Sequence, residues 1–308
     1  MVDIIGKRYW FFLLSAIVII PGLISLLFFG LKPSIDYTGG TLWEMTKFEK
    51  QVDVAVVRGI FTDNGIGDVA LQTSEKGKDQ GLLVRSKVIS PEAKASIDAA
   101  LRSKMGNYTE LRFESVGPTV GQEVTQRAQL AVGLACLGIL LYISFAFRKL
   151  PNPVRYGVCA VTALVHDVLV VVGVFSILGK LFDVEIDALF LTALLTGPIG
   201  FSVHDTIVVF DRIRENVAKY PGETFERVVN HSLLQTLDRS INTSLTVIFT
   251  LSALFLFGGV TIRMFVLAML IGIVTGTYSS VFNATPLLVV WENGEIGKFW
   301  RKWRGKPA

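Results

Sequence analysis

The chain has 308 residues, of which 51% are hydrophobic and 18% charged, with a mean hydropathy of +0.52. A water-soluble globule of this length needs a more charged surface, so the composition excludes that class and indicates an integral membrane protein. The net charge of +4 gathers in short loops suited to anionic lipid rather than in a basic patch interleaved with stacking aromatics, which argues against a nucleic-acid partner.

Six apolar stretches are long enough to cross about 30 Å of hydrocarbon: residues 10–29, 130–147, 154–178, 188–210, 241–257 and 264–290. The first follows Lys7 and Arg8. It is too long for a signal-peptide core and lacks a small-residue cleavage motif, so an uncleaved anchor is expected. Residues 1–9 then form an N-terminal segment, 10–30 the first span, and 128–291 the other five.

Residues 31–127 between the first two spans predict one small α+β domain. Strands are expected at 42–48, 69–73, 82–88 and 111–114, with helices at 52–64 and from Pro91 to Met105. Ser90 is the predicted cap of the second helix. The order β-α-β-β-α-β is that of a ferredoxin-like domain. Before the first strand, Asp36-Tyr37-Thr38-Gly39-Gly40-Thr41 reads as a tight turn, with Asp36 as its cap and the glycines allowing close backbone approach. No Lys-Ser or Lys-Thr follows, so a phosphate-binding loop is the weaker reading.

Cys136 and Cys159 both fall in apolar runs, which leaves the small domain without a disulfide. Lys and Arg crowd into alternate loops: Lys7 and Arg8; Arg148, Lys149 and Arg155; Arg212, Arg214, Lys219, Arg227 and Arg239; then Lys298, Arg301, Lys302, Arg304 and Lys306. By the positive-inside rule both termini, including the basic tail 292–308, are expected in the cytoplasm of a multi-pass plasma-membrane protein, with 31–127 outside. The loop segment 211–238 has helical apolar spacing and predicts an amphipathic helix on the membrane surface.

The fourth run carries Asp205, and Arg239 opens the fifth. Ionisable groups at membrane depth are costly and usually face a partner or a water path, which points to proton or ion traffic. Gly197-Pro198 should kink the fourth helix upstream of Asp205. Asn242, Thr243 and Thr246 continue from Arg239 as a polar stripe expected to face protein or water. A carboxylate beside a guanidinium stays ionised, and without it takes a proton, so the pair could act as a switch. A fixed structural ion pair, or Arg239 snorkelling to the interface, are the competing readings. Asp167, His166 and His204 are weaker members of the same pathway, each with an ordinary helix-bundle hydrogen bond as its alternative. Neither metal-ligand spacing nor a nucleophile constellation is present, so no enzyme chemistry, metal or cofactor is expected.

Three blocks resemble the SecF family of protein-export membrane subunits, within the resistance-nodulation-division architecture: Asp36 to Thr41, His204 to Asn216, and Arg239-Ser240-Ile241-Asn242-Thr243-Ser244. The resemblance covers essentially the whole chain. It implies a SecD-like six-span partner, the SecYEG channel and an unfolded preprotein as substrate. The proton gradient would be the energy source, with Na+ as the alternative coupling ion, and Asp205 and Arg239 fall on proton-path positions. His204 stands where the family more often has Asn. An energy-independent scaffold is the competing function; half of a small-molecule exporter is disfavoured by the span count.

Overall fold

The computed structural model describes residues 2–76 and 79–295. Contacts divide the chain into two compact units, Met1–Lys32 with Leu130–Ala308, and Pro33–Gln129. A short turn, Ile5–Lys7, leads into α1, Arg8–Phe29.

In the smaller unit, α2 (Ile35–Thr38) is a single turn, followed by β1 (Gly40–Thr46), α3 (Val54–Asp63), β2 (Val69–Lys76), β3 (Asp79–Ser86), α4 (Pro91–Met105) and β4 (Thr109–Val116). The strand order is β2-β3-β1-β4 with all neighbours antiparallel. Each β-α-β half is therefore split by a strand of the other, the ferredoxin-like arrangement expected from the sequence. Trp43 and Met45, two apart on β1, point to the same side and bury against Val57, Phe61, Ile97 and Leu101 of the two helices.

Element edges shift for local reasons. β1 stops at Thr46, short of the predicted 48, because Lys47 turns to a φ of 56°. α3 starts later than predicted because Asp53 is its cap, accepting from the Ala55 and Val56 amides at 2.8 and 3.4 Å. Ser90 caps α4 as anticipated, accepting from the Ala93 amide at 3.2 Å. Gly77 and Lys78, between β2 and β3, lie outside the described residues.

The Asp36 to Thr41 segment departs from expectation in its cap. Ser34, not Asp36, caps α2, with its hydroxyl accepting from the Asp36 amide at 3.2 Å. The glycines do permit close approach: Gly40 has φ 120°, and a Cβ there would sit 2.7 Å from the Ser86 carbonyl oxygen. Thr41 is fully buried, bonded to Ser115 at 2.9 Å and accepting from the Ile89 amide at 2.9 Å.

The larger unit continues with α5 (Pro118–Ala146), α6 (Pro153–Phe182), α7 (Ala188–Leu194), α8 (Ser202–Lys219), α9 (Phe225–Phe257), α10 (Arg263–Ser279) and α11 (Thr285–Glu292). A π-helical turn, Leu195–Phe201, joins α7 to α8, and a second, Ser280–Ala284, joins α10 to α11. Among the described residues this makes six helices long and apolar enough to cross a membrane. The third, fourth and sixth are about half buried and form the centre, while α1, α5 and α9 present most of their surface outward. The outward apolar residues of α1 and α5 match a lipid environment. The protein is a multi-pass membrane protein.

Segment 211–238 is not a separate surface helix. α8 runs on to Lys219 and α9 starts at Phe225, so the polar stretch is the overhang of two long helices around a short turn. Its helical spacing is nevertheless real: Val228, Val229, Ser232, Leu233 and Thr236 are buried along one side of α9.

Charged groups meet at the two ends of the bundle. At one end Arg8 pairs with Glu226 at 3.3 Å and with Glu295 at 2.5 Å, and Arg155 pairs with Glu292 at 2.5 Å. The Asn230 side-chain oxygen accepts there from the Ile4 and Ile5 amides at 3.0 and 3.2 Å. At the other end Lys32 bonds Asp183 and lies 3.6 Å from Glu185. The tail cations Lys298, Arg301, Lys302, Arg304 and Lys306 lie outside the described residues.

Candidate functional site in the membrane unit

Two carboxylates are buried at the bundle centre, and the sequence ranked them in the opposite order of their connectivity. Asp167 on α6 is 0% exposed. Its Oδ2 accepts from the Ser202 hydroxyl on α8 and the Ser279 hydroxyl on α10, each at 2.6 Å, and its Oδ1 lies 2.9 Å from His166 Nδ1. One side chain thereby joins three helices. Hydroxyl bonds this short are of the strong class where the carboxyl is ionised.

The ladder continues through hydroxyls. Thr206 donates to Ser280 at 3.0 Å, Ser280 donates to the Ser202 carbonyl at 2.9 Å, and Thr285 reaches back to the Ser280 carbonyl at 2.8 Å. Both π-helical turns border this ladder. Each inserts an extra residue into the helical register, which turns Ser202 on one helix and Ser280 on the other inward. Gly197 and Pro198, where the sequence suggested a kink, lie in the first π-helical turn, and the Pro198 ring rests on Gly272 of α10. Gly276, one turn on, packs against Ser202, where a Cβ would be 2.8 Å from the serine's own.

Asp205, on α8, is 5% exposed and faces α9 rather than lipid. Ser240 and Ser244 of α9 flank its carboxylate. Ser244 also bonds Thr277 of α10 at 2.6 Å, whereas the buried Ser240 hydroxyl makes no hydrogen bond of good geometry.

The anticipated Asp205 and Arg239 ion pair is not formed: among the described residues no contact within 4.0 Å joins them. Adjacent residues on a helix are about 100° apart, so with Ser240 directed inward Arg239 is carried to the exposed side. Asn242 and Thr246 are exposed with it, Thr243 is half-buried, and His204 is exposed on α8. The polar stripe therefore lies on the outside of this chain.

Sequence reasoning missed the serines that ligate Asp167 and flank Asp205, since hydroxyl residues are unremarkable in membrane helices. A signal for the second π-helical turn was present in Pro286, which lacks the amide a regular helix would use. Among the described residues no group of three His, Cys, Asp or Glu gathers as a metal site.

Comparison with known proteins agrees with this architecture. The model of the C-terminal region of the protein export membrane proteins SecD and SecF matches residues 96–294. The protein translocase subunit SecF of Thermobaculum terrenum is 57% identical, over 100% of this chain and 99% of its own. That of Anaerolinea thermophila is 50% identical with the same coverage. Among solved structures, SecDF from Thermus thermophilus, described as a translocon-associated membrane protein, superposes with a TM-score of 0.78 at 32% identity. The match covers 95% of this chain and 39% of that longer one. On these grounds the chain belongs to the SecD/SecF family of protein export membrane proteins.

Proposed function

We propose that this chain is the SecF-like subunit of a protein-export machinery. It works with a SecD-like six-span partner and uses the proton gradient to promote late steps of preprotein passage through the SecYEG channel. The observation that carries the reading is the juxtaposition of a buried, unpaired carboxylate at Asp205 with an outward stripe of Arg239, Asn242 and Thr246. Such a stripe on a membrane helix is costly against acyl chains and is satisfied by protein or water. A second membrane subunit laid on α9 would cover it and bring Arg239 into a low-dielectric site, where its influence on Asp205 grows.

The basic loops support an orientation with both termini in the cytoplasm and the ferredoxin-like unit on the far side of the plasma membrane, where it would meet the emerging chain. The role is transport, not bond chemistry, and protons are the coupling ion, with Na+ as the alternative that ion substitution separates. The test is gradient-dependent export in vesicles. Asp205→Asn should insert and fold but lose the gradient-dependent fraction; full export by that variant would end the proposal.

The exposure of Arg239 favours one second reading, an energy-independent scaffold in which the stripe is only a docking contact. Arg239→Met separates them. A scaffold loses its partner on purification, whereas a coupling subunit keeps the partner and loses proton flux.

A further inference from the structure

The turn between α5 and α6 and the facing side of α8 form an open groove of about 500 Å³, lined by Phe145, Arg148, Lys149, Arg214, Glu215 and Ala218. Its charges do not cancel. Arg214 pairs with Asp211 at 2.6 Å and Glu215 with Arg212 at 2.8 Å, so the acids at the groove are already matched by cations of α8 itself. Arg148 and Lys149 are exposed, and among the described residues neither has a carboxylate within 4.0 Å. The Arg148 guanidinium lies instead over the Phe145 ring, 4.2 Å from its centroid, which orients the cation without neutralising it. Pro151 and Pro153 follow in the same turn, and their fixed φ limits the shapes it can take.

An apolar strip leads away from these cations. Leu134, Leu137, Leu141 and Phe145 are exposed on α5 and recur at helical spacing, so they share one face. At 1.5 Å per residue the strip is about 16 Å long, close to half of a hydrocarbon core of about 30 Å. A phospholipid has the same two parts in the same order, a phosphodiester at the interface and acyl chains about one leaflet long beneath it. We infer that the groove binds one anionic phospholipid, its phosphate among Arg148, Lys149 and Arg214 and its acyl chains along the α5 strip. Arginine offers paired N–H donors to phosphate oxygens and lysine a point charge. This is more than the general attraction of basic loops to an anionic membrane, because one headgroup is assigned to two cations that the protein leaves uncompensated. An acidic protein segment matches the charge but leaves the strip beneath it uncovered. Bound here, the headgroup ties the α5–α6 turn to α8.

The test is photo-crosslinking of the full chain in phosphatidylcholine vesicles, with and without its six-span partner. The probes are phosphatidylglycerol and phosphatidylcholine, each carrying a diazirine on one acyl chain. In wild type, phosphatidylglycerol should label residues 134–145 at lower probe density than phosphatidylcholine does, and unlabelled phosphatidylglycerol should compete where inorganic phosphate does not. Arg148→Ala combined with Lys149→Ala should raise the phosphatidylglycerol needed for half-maximal labelling about 30-fold. Lys219→Ala combined with Arg227→Ala removes two cations at the same end but outside the groove, and should leave it unchanged. Equal labelling by the two lipids, equal loss in both double variants, or competition by inorganic phosphate overturns the site. A label that vanishes when the partner is present also overturns it, by assigning the groove to a protein contact. The comparison of lipids in wild type decides the matter if the double variant fails to fold.

Discussion

Asp167 on α6 and Ser279 on α10 lie 2.6 Å apart, carboxylate to hydroxyl, at the centre of the membrane bundle. Ser202 on α8 bonds the same oxygen. Replacing Asp167 with Leu removes the acceptor the two hydroxyls share and is expected to cost about 2–5 kcal/mol, while Asn retains an acceptor oxygen and costs about 1 kcal/mol. Midpoints of detergent-induced unfolding measure the difference. Equal losses in both variants would show that the carboxylate does not organise the three helices.

Gly272 and Gly276 set how closely α10 approaches the first π-helical turn. The neighbour of Gly272 is a proline ring, which cannot swing aside. Gly272→Ala should therefore displace the Leu195–Phe201 turn and destabilise by about 1–3 kcal/mol. Gly59→Ala, with open space around its Cβ position, is the matched control and should be neutral or slightly stabilising, by well under 1 kcal/mol.

α1 meets α6 through another glycine pair. A Cβ on Gly22 would stand 2.8 Å from the Gly173 Cα, the backbone-to-backbone approach that small residues allow in membranes. Gly173→Val should push α1 away and break the Ser25 to Ser176 hydroxyl contact of 2.9 Å. Disulfide trapping between cysteines placed at those two serines reads the separation; unchanged trapping yield would contradict it.

In the ferredoxin-like unit, burial opposes the charge on Asp98, but the Tyr108 hydroxyl and the Arg102 guanidinium outweigh it and hold the carboxyl below its usual range. A depressed folded value means the unfolded chain binds the proton first. The contribution is thus complete above the ordinary aspartate value of about 3.9 and is lost as pH falls through the lower folded value. Hydrogen exchange of β1 amides should accelerate in that acid window in wild type, and Asp98→Asn should flatten the dependence while speeding exchange at neutral pH.

The six spans, the split β-α-β order and Asp205 could be read from the sequence because each rests on local pattern: apolar length, period-two alternation, one charge in a greasy run. The side of α9 on which Arg239 emerges could not, since it depends on which neighbour, Ser240, turns inward against α8. Asp167 was visible but its importance was not. Its partners Ser202 and Ser279 are far apart in sequence, and only the packing of α6, α8 and α10 brings their hydroxyls to one oxygen. Ser34 displaced Asp36 as a cap for a subtler reason, because both residue types suit the position and only the backbone path chooses.

The hydroxyls around Asp167 are rotors. Each O–H can donate or accept by turning about its C–O bond, so a carboxylate that gains or loses a hydrogen can be answered by reorienting light atoms alone. The heavy-atom scaffold formed by Ser202, Thr206, Ser279 and Ser280 can then stay in place with that carboxyl in either protonation state. An ionisable side chain and a rigid crossing of three helices are, in this arrangement, compatible within the same few ångströms.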